Sequence, residues 1–435
     1  MKTLSVIITS LLLLSSGIIR AEENGHKDKK ENIFFMNVQI RPRAEYRNGA
    51  LFPREKGESA AGFINNRARL SLGYERENLS IGLSAQHVGV WGQDPQIDKN
   101  GRFILNEAWA QLNFGTGFFA KLGRQSLVYD DERLLGGLDW NVAGRYHDAL
   151  KLGYQNANNK LHLIVAFNQN DETLIGGTYY APGAQPYKTM QTLWYEHTCS
   201  KAFRASFLFM NLGIEGGDIE KKESDTKFMQ TLGTNLYYTP GNWSFGGTFY
   251  YQFGKSKAGK DISAFMWAVN AGYQIDPRWK VAIGSDYLSG AGNDPAGKYK
   301  AFDPLYGTHH KFYGAMDYFY ASSFKNGLNP GLWDNQLSVA FKPVKKVNLS
   351  LAYHYFSVTG DVYEKSGEKA NRGLGSELDF QVDWQIMKDV KLSAGYSTML
   401  AGKTMELVKG GDSSSWQDWG WLSVNINPRI FTAKW

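Results

Sequence analysis

The chain has 435 residues, 48 Lys and Arg against 42 Asp and Glu, a formal net charge of +6 and one cysteine, Cys199. A single cysteine excludes an intramolecular disulfide and a thiolate metal cluster, and so mild a basic excess does not argue for nucleic acid. Glycine and aromatic residues are abundant, yet mean hydropathy is only -0.40; this suits a barrel whose polar lining cancels its apolar outside.

The N-terminus reads as a secretory signal. Lys2 gives a positive start, residues 4–19 form a mostly apolar run, and Ile19-Arg20-Ala21 ends on a small residue. A first transmembrane helix is the rival reading, but the run is short, is broken by Ser and Thr, and has no apolar counterpart of its length downstream. Residues 1–21 are expected to be a signal peptide, and their removal lowers the formal charge to about +4. Residues 22–32 are charged and are expected to form a periplasmic arm. No Pro-rich, Ser-rich or low-complexity linker divides the rest of the chain, so residues 33–435 are read as one β architecture.

From Met36 the chain alternates. Met36, Val38, Ile40, Pro42, Ala44 and Tyr46 fall on one side, and Asn37, Gln39, Arg41, Arg43, Glu45 and Arg47 on the other. After a polar loop, Ala68, Leu70, Leu72 and Tyr74 take one face, and Arg67, Arg69, Ser71, Gly73 and Glu75 the opposite one. A period of two means strands. A soluble sandwich would turn the apolar face into a core, whereas a membrane barrel would turn it to lipid and the arginines into a lumen.

The remaining connections favour the barrel. Tight turns are expected near 76–78, 115–117, 156–159, 199–201, 240–242, 276–277, 343–346 and 387–389. Long polar connections are expected near 48–61, 92–102, 130–144, 170–188, 213–226, 254–262, 289–333, 359–373 and 401–417. Eight turns alternating with nine loops make about 18 antiparallel strands, with short periplasmic turns, long extracellular loops and both termini on the periplasmic side. Residues 310–320 look strand-like as well. A spanning strand there would break the parity, so they are placed inside one very long extracellular loop, about 289–332, which is a natural plug or lid. Leu79, Ile81, Leu83 and Ala85 alternate with Ser80, Gly82, Ser84 and Gln86, and Leu349, Leu351, Tyr353 and Tyr355 alternate likewise. Aromatic residues such as Trp243, Trp279, Trp333 and Trp384 gather near strand ends, where interfacial girdles lie. The chain closes on a strand ending in Trp435, as bacterial outer-membrane proteins do.

The densest polar constellation is Gly123-Arg124-Gln125, then Tyr129-Asp130-Asp131-Glu132-Arg133, Leu134-Leu135-Gly136, Asp139-Trp140-Asn141 and Gly144-Arg145-Tyr146-His147-Asp148. This block resembles the alginate export family of outer-membrane channels, and the likeness extends to 302–307, His310, 312–314 and 317–319. The resemblance implies an 18-stranded barrel with an electropositive constriction that conducts an anionic polysaccharide outward. It also covers members whose substrate is not alginate. Arginines in a narrow lumen lower the cost of dehydrating each carboxylate of a polyuronate, because guanidinium pairs with it in bidentate fashion.

Carrying the family over gives Arg41, Arg67, Arg69, Arg124 and Arg145 as selectivity residues, with Arg43, Arg47, Lys121, Arg133 and Lys151 behind them. Glu107, Asp130, Asp131 and Asp148 are expected to hold the cations in place. Lys121 and Arg124 differ by an odd step, so a regular strand cannot turn both into the lumen unless Arg124 lies at a bulge or above the membrane. Weaker candidates are a calcium or carboxylate-pair site at 130–132, a calcium loop around Asp286, Asn293, Asp294 and Asp303, and a metal at His309-His310, whose side chains point oppositely on a strand. No Ser/His/acid set comes together, so a hydrolase is the remoter alternative to a small-anion porin. No cofactor is implied. The expected partners are an anionic polysaccharide or small anions, outer-membrane lipid, and a periplasmic export complex.

Overall fold

The computed structural model describes residues 31–94, 103–172, 174, 178–181, 185–218, 220–221, 223–291 and 297–435. The expected signal segment, most of the arm, and the calcium candidates Asn293 and Asp294 lie outside the described residues.

Strands β1 (Ile33–Asn48), β2 (Ala61–Arg76), β3 (Leu79–Val90), β4 (Phe103–Asn113), β5 (Phe118–Gln125), β6 (His147–Gln155), β7 (Asn159–Phe167), β8 (Thr189–Thr198) and β9 (Phe203–Glu215) form half of a single sheet. Strands β10 (Thr226–Tyr238), β11 (Trp243–Lys255), β12 (Asp261–Gln274), β13 (Trp279–Leu288), β14 (Leu332–Val344), β15 (Val347–Ser357), β16 (Gly373–Met387), β17 (Val390–Ala401), β18 (Gln417–Ile426) and β19 (Arg429–Lys434) form the other half. Neighbours pair antiparallel throughout. β1 pairs with β2 on one side and with β18 and β19 on the other, which closes the sheet. β18 and β19 share one wall position and part at Asn427-Pro428, where Pro428 has no N–H to give; its carbonyl still accepts from the Val38 amide at 3.1 Å. The result is the closed 18-stranded antiparallel barrel that the alternation predicts. Closure leaves no open sheet edge with a row of unpaired backbone groups.

The eight expected turns and nine expected loops all connect the strands where the sequence places them. Turns collect at one end of the barrel and loops at the other. The outer wall carries the predicted apolar series, for example Leu161, Leu163, Val165 and Phe167, all exposed outward. Among the described residues outside the strands lie one short helix, α1 (Lys403–Lys409), and two 3-10 turns at His309–Lys311 and Lys325–Gly327.

The densely packed core is inside the barrel, because two loops fold inward. Loop 289–331 buries Phe302, Tyr306, Tyr313, Met316, Tyr318 and Phe319. Its tip reaches the far wall: the Tyr318 hydroxyl donates to Gln417 at 2.6 Å, the Met316 amide donates to Glu377 at 2.8 Å, and Phe319 packs on Phe356 at 4.8 Å. The strand-like stretch 310–320 is therefore no strand. Tyr313, Asp317 and Tyr320 have left-handed φ values of 65°, 60° and 61°, which breaks any extended run. Its apolar spacing reflects burial in a plug.

Candidate functional site

Loop 126–146 lies across the lumen and is fastened to several walls. Leu127, Leu134 and Leu135 are buried beneath it. The Tyr129 hydroxyl meets His162 Nδ1 at 2.9 Å, and Asp130 accepts from Trp194 Nε1 at 3.1 Å and from Ser206. Burial pushes the Asp130 carboxyl up to about 6, with the Ser206 and Trp194 hydrogen bonds pulling against it. Arg133 is the main fastening. It grips both oxygens of Asp286 on β13 at 2.7 and 2.9 Å, donates to Asp131 at 2.8 Å, and lies 3.9 Å over the Phe312 ring. Loop 126–146, loop 289–331 and the wall are thus locked at one residue. Arg145 adds a second link by donating to the backbone carbonyls of Tyr306 and Gly307. Burial draws its guanidinium down to about 10, so it stays charged near neutrality.

The arginines of β1 and β2 face inward, as their alternation requires. Arg41 and Arg67 are directly opposite each other across the two strands, and Arg69 is opposite Gln39. Like charges in cross-strand register repel. One carboxylate relieves that repulsion: Asp139, on loop 126–146, accepts from Arg41 at 3.1 Å and from Arg67 at 2.7 Å. Burial alone would raise the Asp139 pKa, but Arg67 and Arg41 outweigh it and hold the group below the ordinary carboxylate value. Arg67 is 1% exposed beneath the loop, whereas Arg41 retains 13% and Asp139 52%. Among the described residues Arg69 has no carboxylate in hydrogen-bond contact, and it donates to Gln86 at 2.8 and 2.6 Å. Arg43 pairs with Glu45 at 2.8 Å and stacks on Trp140 at 4.0 Å. Trp140 in turn stacks on His310 at 4.1 Å, so the two inward loops meet beside β1. Arg47 completes this group on the other oxygen of Glu45 at 2.8 Å.

A second set of cations lies nearer the short turns. Lys121 on β5 is directly opposite Lys151 on β6, and the Lys121 ammonium is 3.5 Å from the centre of the Trp109 ring. Further round the wall, Glu196 binds Lys160 at 2.8 Å and Arg204 at 2.6 Å.

Arg124 is placed differently from expectation. β5 pairs with both neighbours without a register shift, so the odd step from Lys121 decides the matter. Lys121 faces inward and Arg124 shares the outer face with Leu122, which is 62% exposed. Asp148, its cross-strand partner, is outside too, and the two form a bidentate pair at 2.9 Å. Neither lines the lumen. Of the expected supporting acids, Asp130 and Asp131 tie down the loop, and Glu107 accepts from the Ser126 amide at 3.3 Å. The carboxylates that pair with the inward arginines are Asp139, Glu45, Asp286 and, of the expected acids, Asp131. Asp139 stands in the motif block and Glu45 on the arginine face of β1, so both were legible as neighbours. Asp286 is 153 residues from Arg133, and no local signal joins them.

The weaker candidates disperse. Asp130, Asp131 and Glu132 turn to separate partners, Glu132 taking Thr308 at 2.8 Å and Lys311 at 3.2 Å. Asp286 is occupied by Arg133, Asp303 accepts from the Leu305 amide at 2.9 Å, and His310 pairs with Asp317 at 2.9 Å. Among the described residues no group of three His, Cys, Asp or Glu side chains converges as a metal site.

Comparison with solved structures places the wall among porins. The chain is similar to OccK3 (OpdO) of Pseudomonas aeruginosa, at 12% identity and a TM-score of 0.61, covering 92% of this chain and 96% of that one. It is similar to OccAB1 of Acinetobacter baumannii at 11% identity and a TM-score of 0.59, covering 92% and 97%. It is also similar to a BenF-like porin from Pseudomonas fluorescens Pf-5, at 12% identity and a TM-score of 0.58, covering 91% and 99%. Identities this low speak to the fold alone. A comparison with curated proteins gives no significant match. The alginate export family model matches residues 38–416; with that match over a closed 18-stranded wall, the chain belongs to the alginate export family and is a channel of the bacterial outer membrane.

Proposed function

We propose that the channel conducts anionic solutes by electrostatic selection, with an alginate-like acidic exopolysaccharide moving outward as the leading cargo. One observation carries the reading. Arg41, Arg67 and Arg69 stand together on adjacent strands, and among the described residues one carboxylate, Asp139, is paired with this group. A surplus of guanidinium in a lumen favours anions and offers each uronate a bidentate partner in exchange for water. Arg145, which donates to the Tyr306 and Gly307 carbonyls, adds to the surplus. Arg43 and Arg47 share Glu45 and contribute less.

Uptake of small anions is the second reading. It is supported by the two inward loops, which fill much of the barrel with buried side chains. Planar-bilayer recording tests the proposal. The wild-type channel should prefer anions and be blocked by added polyuronate, and Arg67→Ala with Arg69→Ala should lower the preference while heat-resistant folding persists. Cation preference would overturn the proposal. Anion preference without polyuronate block would move the assignment to small anions.

A further inference from the structure

Among the described residues two pairs of cations stand directly opposite each other across strands of this lumen, and they are treated differently. Arg41 and Arg67 have Asp139 between them. Lys121 and Lys151, directly opposite each other on β5 and β6, have no such bridge. Among the described residues neither ammonium makes an ion pair or a hydrogen bond. The neighbouring carboxylate, Glu107, is turned toward the Ser126 amide. Lys121 has only the face of Trp109, and that ring is pressed onto β3 where Gly82 leaves it room: a Cβ on Gly82 would stand 2.5 Å from the indole.

Opposed side chains of an antiparallel pair start about 5 Å apart, close enough for two ammonium groups to share one carboxylate. Glu107 stands near both ammonium groups but bonds to neither, and an anion in the lumen would relieve the repulsion it leaves. The same cross-strand row continues through Gln111 to Ser80, neutral partners suited to hydroxyl groups. We infer that Lys121 and Lys151 form a binding station for the carboxylate of an acidic sugar, separate from the arginine tier and nearer the periplasm. Lys121 is the fourth residue of β5 counted from its periplasmic turn, whereas Arg41 is the ninth of β1. The station rests on the anion-channel reading and gives it an order: a uronate entering from the periplasm meets two mobile point charges before it meets fixed guanidinium groups. Lysine suits that place, because a flexible ammonium offers no rigid fork and releases its partner readily.

The test is current block in planar bilayers, with glucuronate or glucose added on the periplasmic side. Glucuronate should block the wild-type channel and glucose should not. Lys121→Met with Lys151→Met should weaken the glucuronate block tenfold or more, while Lys121→Arg with Lys151→Arg keeps it. Arg124→Ala, on the outer face, should leave it unchanged. If the double Met protein does not form a heat-resistant barrel, Lys151→Gln alone is measured and should weaken the block at least threefold. An unchanged block in the methionine or glutamine variant, or equal block by glucose, overturns the station. These outcomes are distinct from cation preference of the wild-type channel, which would overturn the wider reading.

Discussion

Asp139→Asn isolates the carboxylate between Arg41 and Arg67 at nearly constant shape. Two charge-assisted hydrogen bonds, at 3.1 and 2.7 Å, become neutral ones. Each is worth about 1.5–3 kcal/mol when well shielded. Asp139 is half exposed, so a combined loss of about 2 kcal/mol for the docking of loop 126–146 is the reasonable figure, or roughly 30-fold in its docked fraction. The electrical effect has the opposite value for transport. A permeating anion about 6 Å from the removed charge gains about 1–3 kcal/mol for effective dielectrics between 80 and 20, before salt screening. The chloride-to-potassium permeability ratio from reversal potentials should therefore rise, about three- to tenfold, while protease cleavage within loop 126–146 accelerates. The pH dependence comes from the same group. Its pKa is depressed in the folded protein, so its stabilising contribution is complete above the ordinary value of 3.8 and is lost as pH falls through the lower folded value. Acidifying the wild type into that range should reproduce the Asn phenotype, and the variant should lack the transition. A permeability ratio that stays level or falls, or an identical acid transition in both proteins, would refute the reasoning.

Arg133→Met should be the most damaging single change in the lumen. It leaves Asp286 and Asp131 without their cation in a buried place, at a cost of about 3–5 kcal/mol; thermal unfolding followed by heat-modifiable gel mobility should shift clearly downward, and an unshifted transition would show that the loops are locked elsewhere. Arg124→Ala should do little. Its pair with Asp148 is 30% and 46% exposed, which suggests about 1 kcal/mol or less; a fall in anion selectivity in this variant would contradict its outward placement.

The wall was legible because a barrel writes itself into the chain at period two. Met36 to Tyr46 and Leu79 to Ala85 state their faces residue by residue, and turn chemistry such as Pro240-Gly241-Asn242 marks where the chain reverses. The site was legible only where it lies on those strands. Arg41, Arg67 and Arg69 could be placed by parity alone, and the odd step between Lys121 and Arg124 already contained the answer, once β5 proved free of a bulge. Loops carry no such period. What Asp139 bridges, how Arg133 finds Asp286, and why 310–320 alternates without being a strand depend on contacts across the lumen between segments far apart in sequence. The motif resemblance singled out loop 126–146 but assigned Arg124 and Asp148 to a lumen that they face away from.

The seam between β1 and the last two strands has a consequence for assembly. It joins the two ends of the chain, so it closes the longest loop and is the most costly contact in chain entropy. Arg41, Arg43 and Glu45 all lie on the seam strand, and Glu45 takes its indole donor, Trp419, from across the join at 3.1 Å. Trp140, the ring that Arg43 covers, packs edge-on against Trp419 and Trp421 of the same closing strand. The arginine tier is therefore complete only when this seam is closed. A barrel not yet zipped at this seam would lack its arginine tier as well as its seal, and the chain gains both in the same step.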